Sequence, residues 1–119
     1  MITGWIPYPP SVNRYWMRVV NRVCRTPMAQ QYSKDAILAI RSQNLKKFEA
    51  EKYHLSLIAM PPDFRRRDID NICKAALDVF QSSGLVDDDF NIWRLDIERG
   101  QTKKGGQILF TLKEYINNA

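Results

Sequence analysis

The sequence predicts an α+β domain in which two helices pack on a mixed sheet of roughly four strands. Four segments are apolar or alternate between apolar and polar residues, which is typical of strands, and two segments have helical spacing. Their order along the chain is β-α-β-α-β-β. The chain has 119 residues, 45% of them hydrophobic, and it contains no linker or repeat. Residues 1–119 are therefore predicted to form one domain.

The N-terminal segment is predicted to be a strand followed by a proline loop. Residues 4–8 are short and aromatic, as expected of a strand. Residues 9–14 begin with two prolines, which remove backbone donors and favour a loop. Short extended pieces are expected at residues 19–20 and 23–24.

The first helix is predicted to begin at Ser33 and to end near Phe48. Serine is a favoured N-cap residue, and Asp35 would lie in the first turn, where a negative charge is stabilising. The predicted apolar face consists of Ile37, Leu38, Ile40, Leu45 and Phe48.

The second half is predicted to contain three strands and the second helix. A strand at residues 54–60 ends at two prolines, and a helix follows at residues 68–82. Strands at residues 92–99 and 107–113 flank a polar turn, so we expect them to form a hairpin. In the first of these two strands the predicted inward side chains are Trp93, Leu95 and Ile97.

The acidic residues are unevenly distributed. The formal net charge is +5, yet nine of the thirteen Asp and Glu residues lie between Asp63 and Glu98. Residues 65–67, an arginine triplet, adjoin this acidic segment. Clustered carboxylates repel one another unless a cation binds them, and adjacent arginines are suited to a phosphate backbone. The pattern indicates a metal-dependent enzyme that acts on nucleic acid, whereas a solvated basic surface is the alternative for the charge alone.

Three aspartates are the candidate metal ligands. Asp68 and Asp70 lie at the predicted start of the second helix, and Asp89 lies in the loop that follows it. Magnesium prefers oxygen ligands and usually takes one or two carboxylates together with water and phosphate. Asp89 would have to return to the start of the helix to join the pair. The alternatives are helix capping for Asp68 and Asp70, and a solvated turn for residues 87–89.

Lys74 is the candidate catalytic cation. It lies one helical turn after Asp70 and on the same face. It could stabilise charge at a phosphate, or it could be an ordinary ion pair. Asp78, one turn further on, is predicted to be a surface partner of Lys74.

Several basic residues are candidate DNA contacts. They are Arg14, Arg65, Arg66, Arg67, Lys103 and Lys104. A solvated face or a polar turn is the alternative for each group. Asn13, Tyr15 and Trp16 could also contact DNA, and Trp16 could equally be part of the core.

The remaining features concern the cysteines, the single histidine and association with membranes. Cys24 and Cys73 have no metal-type spacing and are expected to be free and reduced, with Cys73 a small residue in the core. His54 is expected to be structural. No membrane span or secretory signal is predicted.

Four segments resemble the RusA family of crossover junction endodeoxyribonucleases. Residues 9–15 resemble its Pro-Pro-Ser-x-Asn-x-Tyr segment, and residues 67–78 resemble its Arg-Asp-x-Asp-Asn-x-x-Lys-x-x-x-Asp motif. Residues 88–89 match an Asp-Asp pair that precedes a strand, and residues 102–106 match a basic Gly-Gly turn. Residues 17–31 match poorly.

The resemblance implies a homodimer that resolves four-way Holliday junctions with Mg²⁺ or Mn²⁺. It implies that Asp68, Asp70 and Asp89 bind the metal, with Lys74 as the catalytic lysine, whereas Asp88 is the less certain member of its pair. Asn71, inside the central motif, joins the expected DNA contacts. The resemblance also implies a cytoplasmic protein of bacterial or phage origin.

The mechanism expected from this set is metal-assisted phosphodiester hydrolysis, in which the metal lowers the pKa of a bound water. Two alternatives remain. A related nuclease would cut flaps, forks or other branched DNA with the same site. A non-cleaving DNA-binding regulator would keep the basic surface but would gain nothing from the carboxylates.

Overall fold

The structure is a computed structural model that describes residues 1–117, without the side chains of Val12 and Asn13. Its elements, in chain order, are β1 Ile2–Ile6, α1 Val12–Tyr15, β2 Trp16–Val19, β3 Arg22–Arg25, α2 Pro27–Ser42, β4 Tyr53–Met60, α3 Cys73–Ser82, β5 Ile92–Arg99 and β6 Gln107–Glu114. Short 3-10 turns precede α3 and β5, at Ile69–Ile72 and Asp89–Asn91.

The predicted fold class is confirmed. The main sheet has four strands in the order β1-β6-β4-β5, in which β4 and β5 are parallel and the other neighbours are antiparallel. The two extended pieces expected near residues 19–24 are also present, as the small separate hairpin β2-β3. The short helix α1, where a loop was expected, is an addition to the predicted elements.

The predicted hairpin of the last two strands is wrong. β6 pairs with β1 and β4, while β5 pairs with β4 on its other side. The connection between β5 and β6 passes the end of β4, where Gly100 N donates to Ala59 O and Lys103 N donates to Pro61 O. Both strands have the alternation of a half-buried strand, so their own sequence cannot distinguish neighbours in a hairpin from neighbours of a common central strand.

The core lies on one face of the sheet. The alternate residues Tyr53, Leu55, Leu57 and Ala59 of β4 are buried, and α2 and α3 cover this side. Phe80 of α3 packs edge to face on Phe110 of β6, with ring centroids 4.7 Å apart. Each fully buried apolar side chain stabilises the fold by about 1.5–3 kcal/mol.

Helix α2 begins six residues before the predicted N-cap and also ends earlier than predicted. Thr26 is the N-cap, because its hydroxyl accepts a hydrogen bond from Ala29 N at 3.1 Å, and Pro27 occupies the first helical position. Ser33 is instead a buried residue inside the helix. The helix ends before Asn44, whose φ of 52° is left-handed, so Phe48 packs on the core from a loop.

The first strand is also shifted. β1 spans Ile2–Ile6 rather than residues 4–8, and its buried ends Ile2 and Ile6 pair with Leu112 and Ile108. Ile2 therefore belongs to the sheet, although the predicted strand began only at residue 4.

Trp93 does not point inward as predicted. The register between β4 and β5 shifts after Tyr53, which pairs with Ile92, whereas His54 pairs with Arg94. This irregularity turns Trp93 outward, and 53% of its surface is exposed. Lys52 Nζ lies 3.9 Å from the centre of its ring. Leu95 and Ile97 pack against the core as predicted.

The parallel pairing determines where each end of α3 lies. Because β4 and β5 run in the same direction, the chain must return along α3 before β5 begins. The start of α3 therefore lies near the C-terminal ends of these strands, and its end lies near their N-terminal ends. No helix in the described part of the chain is both long and apolar enough to cross a membrane.

Candidate active site

A loop rich in arginine follows β4 and borders the candidate site. This arginine loop comprises residues 61–67. Asp63 Oδ1 accepts hydrogen bonds from Arg65 N at 2.9 Å and from Arg67 Nη1 at 2.7 Å. These contacts hold the pKa of Asp63 at about 2, below its ordinary value, chiefly through the hydrogen bond from Arg67. The loop is thus ordered by its own side chains.

Two further residues anchor the arginine loop to the fold. The guanidinium of Arg67 lies 5.8 Å from the centre of the Tyr8 ring, and Arg99 Nη2 donates to Arg67 O at 2.9 Å. Burial raises the pKa of the Tyr8 phenol. Tyr8 and Arg99 were not predicted as site residues, because only the sheet brings them to residues 61–67.

Asp68 and Asp70 lie directly after the arginine loop. Asp68 precedes the 3-10 turn at residues 69–72, and Asp70 is in it. Asp68 has the position of an N-cap but makes no side-chain capping hydrogen bond, which argues against the capping alternative. Both residues are exposed. Within the described chain neither carboxylate has a hydrogen bond or an ion pair.

Lys74 lies in the first turn of α3. Its Nζ is 3.6 Å from Asp78 Oδ1, which confirms the predicted pair with Asp78. The Lys74 side chain is 63% exposed, so the contact leaves its ammonium group accessible. Such an exposed pair contributes little to stability, which leaves Lys74 able to exchange Asp78 for a phosphate.

The acidic run at residues 87–89 lies at the other end of α3. Asp87 pairs with Lys47 at 2.8 Å, and Asp88 Oδ1 accepts from Phe90 N at 3.0 Å. Asp89 N donates to the side chain of Gln81 at 3.2 Å, next to the last turn of α3. Asp89 is therefore separated from Asp70 along a helix about 15 Å long.

The contacts divide the aspartates of this segment into two groups. One group makes side-chain hydrogen bonds or ion pairs, and it consists of Asp63, Asp78, Asp87, Asp88 and Asp96. The carboxylates of Asp68, Asp70 and Asp89 make none among the described residues. Across residues 1–117, no group of three or more His, Cys, Asp or Glu is arranged so that it could hold a metal ion. The three predicted ligands thus share a lack of partners but do not form one cluster.

A cavity of about 240 Å³ separates the arginine loop from the end of β5. Its lining includes Tyr8, Arg66, Asp68, Arg99 and Thr102. Four arginines line it in total, together with the Asp68 carboxylate, so the cavity can accept a negatively charged group next to a free carboxylate.

The remaining predicted contacts lie around this cavity or close to it in the chain. Asn71 lines a small neighbouring pocket together with Pro9, Pro10 and Ser11, so the proline segment contacts the aspartate motif. Lys103 N donates to Pro61 O, which joins the basic turn to the arginine loop. Arg14 is exposed and lies in α1, which begins directly after Ser11. The Arg14 carbonyl accepts a hydrogen bond from Thr26 Oγ1 at 2.6 Å. The side chain of Asn13, a further predicted contact, lies outside the described residues.

The motifs that meet here extend over most of the chain, and so does its similarity to known proteins. The family model described as Endodeoxyribonuclease RusA matches residues 7–111. This chain belongs to the RusA endodeoxyribonuclease family. The crossover junction endodeoxyribonuclease RusA of Enterobacteria phage HK97 is 36% identical over 109 residues, which are 92% of this chain and 91% of the relative.

Other RusA relatives come from enterobacteria and their phages. The crossover junction endodeoxyribonuclease RusA of Escherichia coli strain K12 is 30% identical over 112 residues, covering 94% of this chain and 93% of the relative. The RusA protein of Enterobacteria phage 82 matches with the same identity and coverage. The RusA resemblance seen in the sequence motifs is therefore confirmed. Each of the three alignments covers at least 91% of both proteins.

The predictions for the cysteines, Trp16 and His54 have mixed outcomes. Cys24 and Cys73 are both free, as predicted. Cys73 is half-buried rather than part of the core, and this partial burial raises the pKa of its thiol. Trp16 is half-buried and packs on the Tyr15 ring at 5.0 Å, next to the core. His54 Nε2 pairs with Asp96 Oδ2 on the sheet face opposite the helices, a local contact away from the candidate site.

Proposed function

We propose that this chain is a divalent-metal-dependent endonuclease that resolves four-way DNA junctions by paired phosphodiester cleavage. The observation that supports this best is the unpaired state of Asp68 and Asp70 beside the arginine loop. Five other aspartates of the same segment have partners, whereas Asp68 and Asp70, like Asp89, make no side-chain contact among the described residues, and these two lie beside four arginines. A metal ion at the pair and phosphates at the arginines would compensate both charges.

Mg²⁺ is the proposed metal, with Mn²⁺ as a substitute. Two carboxylates at one exposed turn fit the donor set of Mg²⁺, which takes one or two carboxylates and completes its shell with water and phosphate oxygen. When bound, the metal would lower the pKa of a water and neutralise charge on the phosphate. Asp68, which lines the cavity, and Asp70 would hold the metal.

Lys74 is proposed to stabilise negative charge at the phosphate during cleavage. It lies one turn after Asp70, and among the described residues Asp78, at 3.6 Å, is the one ion-pair partner of its exposed side chain. A phosphate close to Asp70 would be within reach of its flexible side chain. Asp78 then keeps Lys74 on this face of α3 while the DNA is absent.

The basic residues around the cavity are proposed to position the DNA backbone. Arg65 and Arg66 extend from the ordered loop, and Lys103 and Lys104 extend from the adjoining turn. Asn71 and Arg14 would contact the strand on the side of the proline segment. Such contacts determine register and supply salt-dependent affinity rather than sequence preference.

We further propose a homodimer in which Asp89 completes the site of the second copy. A four-way junction has a two-fold axis, and two symmetric cuts require two sites at a fixed separation. The Asp89 carboxylate has no partner within residues 1–117, but the residue is held beside Gln81, at the end of α3 remote from Asp70. In a two-fold dimer, that end of one copy can approach the start of α3 in the other.

The bacterial cytoplasm is the proposed location. The relatives come from enterobacteria and from phages that infect them, and their names assign them to crossover junctions in DNA. Two free cysteines are compatible with a reducing compartment.

The test uses labelled four-way junction, replication fork and linear duplex, each with and without Mg²⁺. Wild type should cut the junction at symmetric positions only with Mg²⁺, and Asp70→Asn should bind the junction without cutting it. Asp35→Asn, which removes the same charge from the exposed face of α2, should cut normally.

The other outcomes would reject the metal site or favour a different function. Equal cleavage by Asp70→Asn and wild type would reject the metal site. Preference for the fork would favour a nuclease for other branched DNA, and binding without cleavage of any substrate would favour a regulator.

A further inference from the structure

Phe64 is an exposed aromatic residue at the tip of the arginine loop. Its surface is 93% exposed, the highest value among the large apolar side chains that the structure describes. Phe64 lines the cavity that also contains Asp68. A single exposed phenylalanine is common on protein surfaces, so its exposure alone assigns no role. Its position in the cavity lining, among four arginines and beside Asp68, is what points to a ligand.

The ring stands on an ordered loop rather than on a loose one. Asp63 bonds to Arg65 N and to the guanidinium of Arg67, so the two residues flanking Phe64 in sequence belong to one hydrogen-bonded turn. Pro61 O accepts from Lys103 N on one side, and Arg67 O accepts from Arg99 on the other. The backbone therefore holds the ring outward at a defined place.

The surroundings of the ring favour a nucleic acid over a protein as its partner. Arg65 and Arg66 follow Phe64 directly, and the Arg65 side chain is 80% exposed. A protein surface covering the ring would have to remove water from these cations, which is costly unless they are paired. Phosphates would pair with them while a base stacks on the ring.

We propose that Phe64 stacks on a base at the branch point of the DNA and thereby distinguishes branched DNA from linear duplex. This inference rests on the proposed function and adds the group that recognises the branch. In a continuous duplex each base is already stacked between neighbours. At a branch point the stack is interrupted, and a base face becomes available to an aromatic ring held beside the phosphates.

The contribution of one stacked base predicts the size of the effect. Replacing an aromatic stacking residue typically weakens binding by about 5- to 150-fold. Phe64→Ala should therefore raise the Kd for a four-way junction within this range and should leave the Kd for linear duplex nearly unchanged. Phe64→Trp should retain junction binding, and Phe64→Leu, which keeps apolar surface without a flat ring, should not.

The experiment places 2-aminopurine, whose emission reports base stacking, at the branch point of a synthetic junction. Binding is measured without divalent metal, so that no cleavage occurs. Wild type and Phe64→Trp should change the emission on binding, and Phe64→Ala should not. The matched control is Leu38→Ala on the outer face of α2, where an apolar side chain 63% exposed is removed away from the cavity.

The outcomes separate this proposal from the proposed function. If Phe64→Ala binds the junction like wild type and gives the same emission change, the stacking role is rejected. If wild type itself neither binds nor cuts the junction, the proposed function fails, and with it the substrate on which the stacking was inferred. Circular dichroism of each variant should match wild type, because Phe64 contributes almost nothing to the core.

Discussion

Arg67 Nη1 donates a 2.7 Å hydrogen bond to Asp63 Oδ1, four residues earlier in the chain. This pair closes the arginine loop and also brings the Arg67 guanidinium over the Tyr8 ring. Asp63 is thus the acidic residue that organises the basic ones. It is a different role from that proposed for Asp68 and Asp70, although all three belong to the same acidic segment.

Replacing Asp63 by Ala should reduce selectivity for branched DNA. Without the carboxylate, Arg67 loses its ion pair and keeps only long hydrogen bonds of 3.4 Å to the carbonyls of residues 63 and 65, so the loop should no longer hold Phe64 in one place. Removing a negative charge favours binding to all DNA, so the informative quantity is the ratio of duplex Kd to junction Kd, which should fall. An unchanged ratio would contradict an organising role for Asp63.

The same contact predicts little pH dependence near neutrality. The pKa of Asp63 is lowered from an ordinary value of 3.8 to about 2. A lowered carboxyl pKa means that the contact is fully present above the unfolded value and is lost as pH falls through the folded value. An NMR titration of the Asp63 carboxyl should therefore show a midpoint near 2 and no transition between pH 5 and 8.

Replacing Lys74 by Met should slow cleavage more than it weakens binding. Loss of one preorganised charge at a reacting phosphate typically costs about 10²- to 10³-fold in rate, or about 2.7–4 kcal/mol. Single-turnover cleavage of a junction measures the rate, and an equilibrium titration measures the Kd. Lys34→Met, at an exposed position on α2, is the control and should cut normally. If Lys74→Met and Lys34→Met slow cleavage equally, Lys74 contributes only general electrostatic attraction to the DNA.

Asp89 should be required for cleavage, whereas Asp88 should not. Asp88 accepts from Phe90 N, a contact that Asn can also make, whereas the Asp89 carboxylate has no partner in the described part of the chain. Asp89→Asn should abolish junction cleavage, and Asp88→Asn should retain most of it. The pair is matched, since each variant removes one negative charge, from the 3-10 turn at Asp89–Asn91 or from its N-cap Asp88. If Asp88→Asn abolishes cleavage and Asp89→Asn retains it, the third metal ligand is Asp88.

Mixed dimers test whether Asp89 acts across the subunits. A heterodimer of Asp70→Asn and Asp89→Asn, purified by two different tags, would contain one intact site if Asp89 comes from the partner. It should then nick one strand of the junction, although each parent homodimer is inactive. A heterodimer of Asp68→Asn and Asp70→Asn should stay inactive. Failure of the first heterodimer to nick would place Asp89 in its own chain's site.

Gly106→Ala should destabilise the fold by about 1–3 kcal/mol. Gly106 has a φ of 73°, and a Cβ there would lie 2.6 Å from Tyr8 Cβ. Gly105→Ala is the control, because its φ of 84° is similarly left-handed but its Cβ would meet nothing within 4 Å. Urea unfolding should therefore give a larger loss for Gly106→Ala. Equal losses would mean that only the backbone conformation matters.

Elements with a strong local pattern could be predicted from the sequence. The apolar run of β4 and the helical spacing of α3 each determine an element without reference to the rest of the chain. The start of α2 could also have been read from Thr26-Pro27, a capping residue before a proline, but Ser33 followed by Asp35 offered a similar signal. In the structure Ser33 is buried inside α2, so Thr26 and not Ser33 caps the helix.

The sequence by itself determined the fold class, the family and the residue types available for chemistry, because these depend on local patterns and motif spacing. Only the tertiary structure decided which strands are neighbours, which aspartates have partners and which end of α3 Asp89 occupies. The strand order and the position of Asp89 are relations between residues distant in the chain, and the parallel pairing of β4 and β5 sets the position of Asp89. Several aspartate partners are only two to four residues away, but which side chains meet depends on the conformation of the loops and turns. The same pairing of β4 and β5 brings Arg99 to the arginine loop, while the pairing of β6 with β1 and β4 brings Tyr8 there, and Phe64 extends from this loop into solvent.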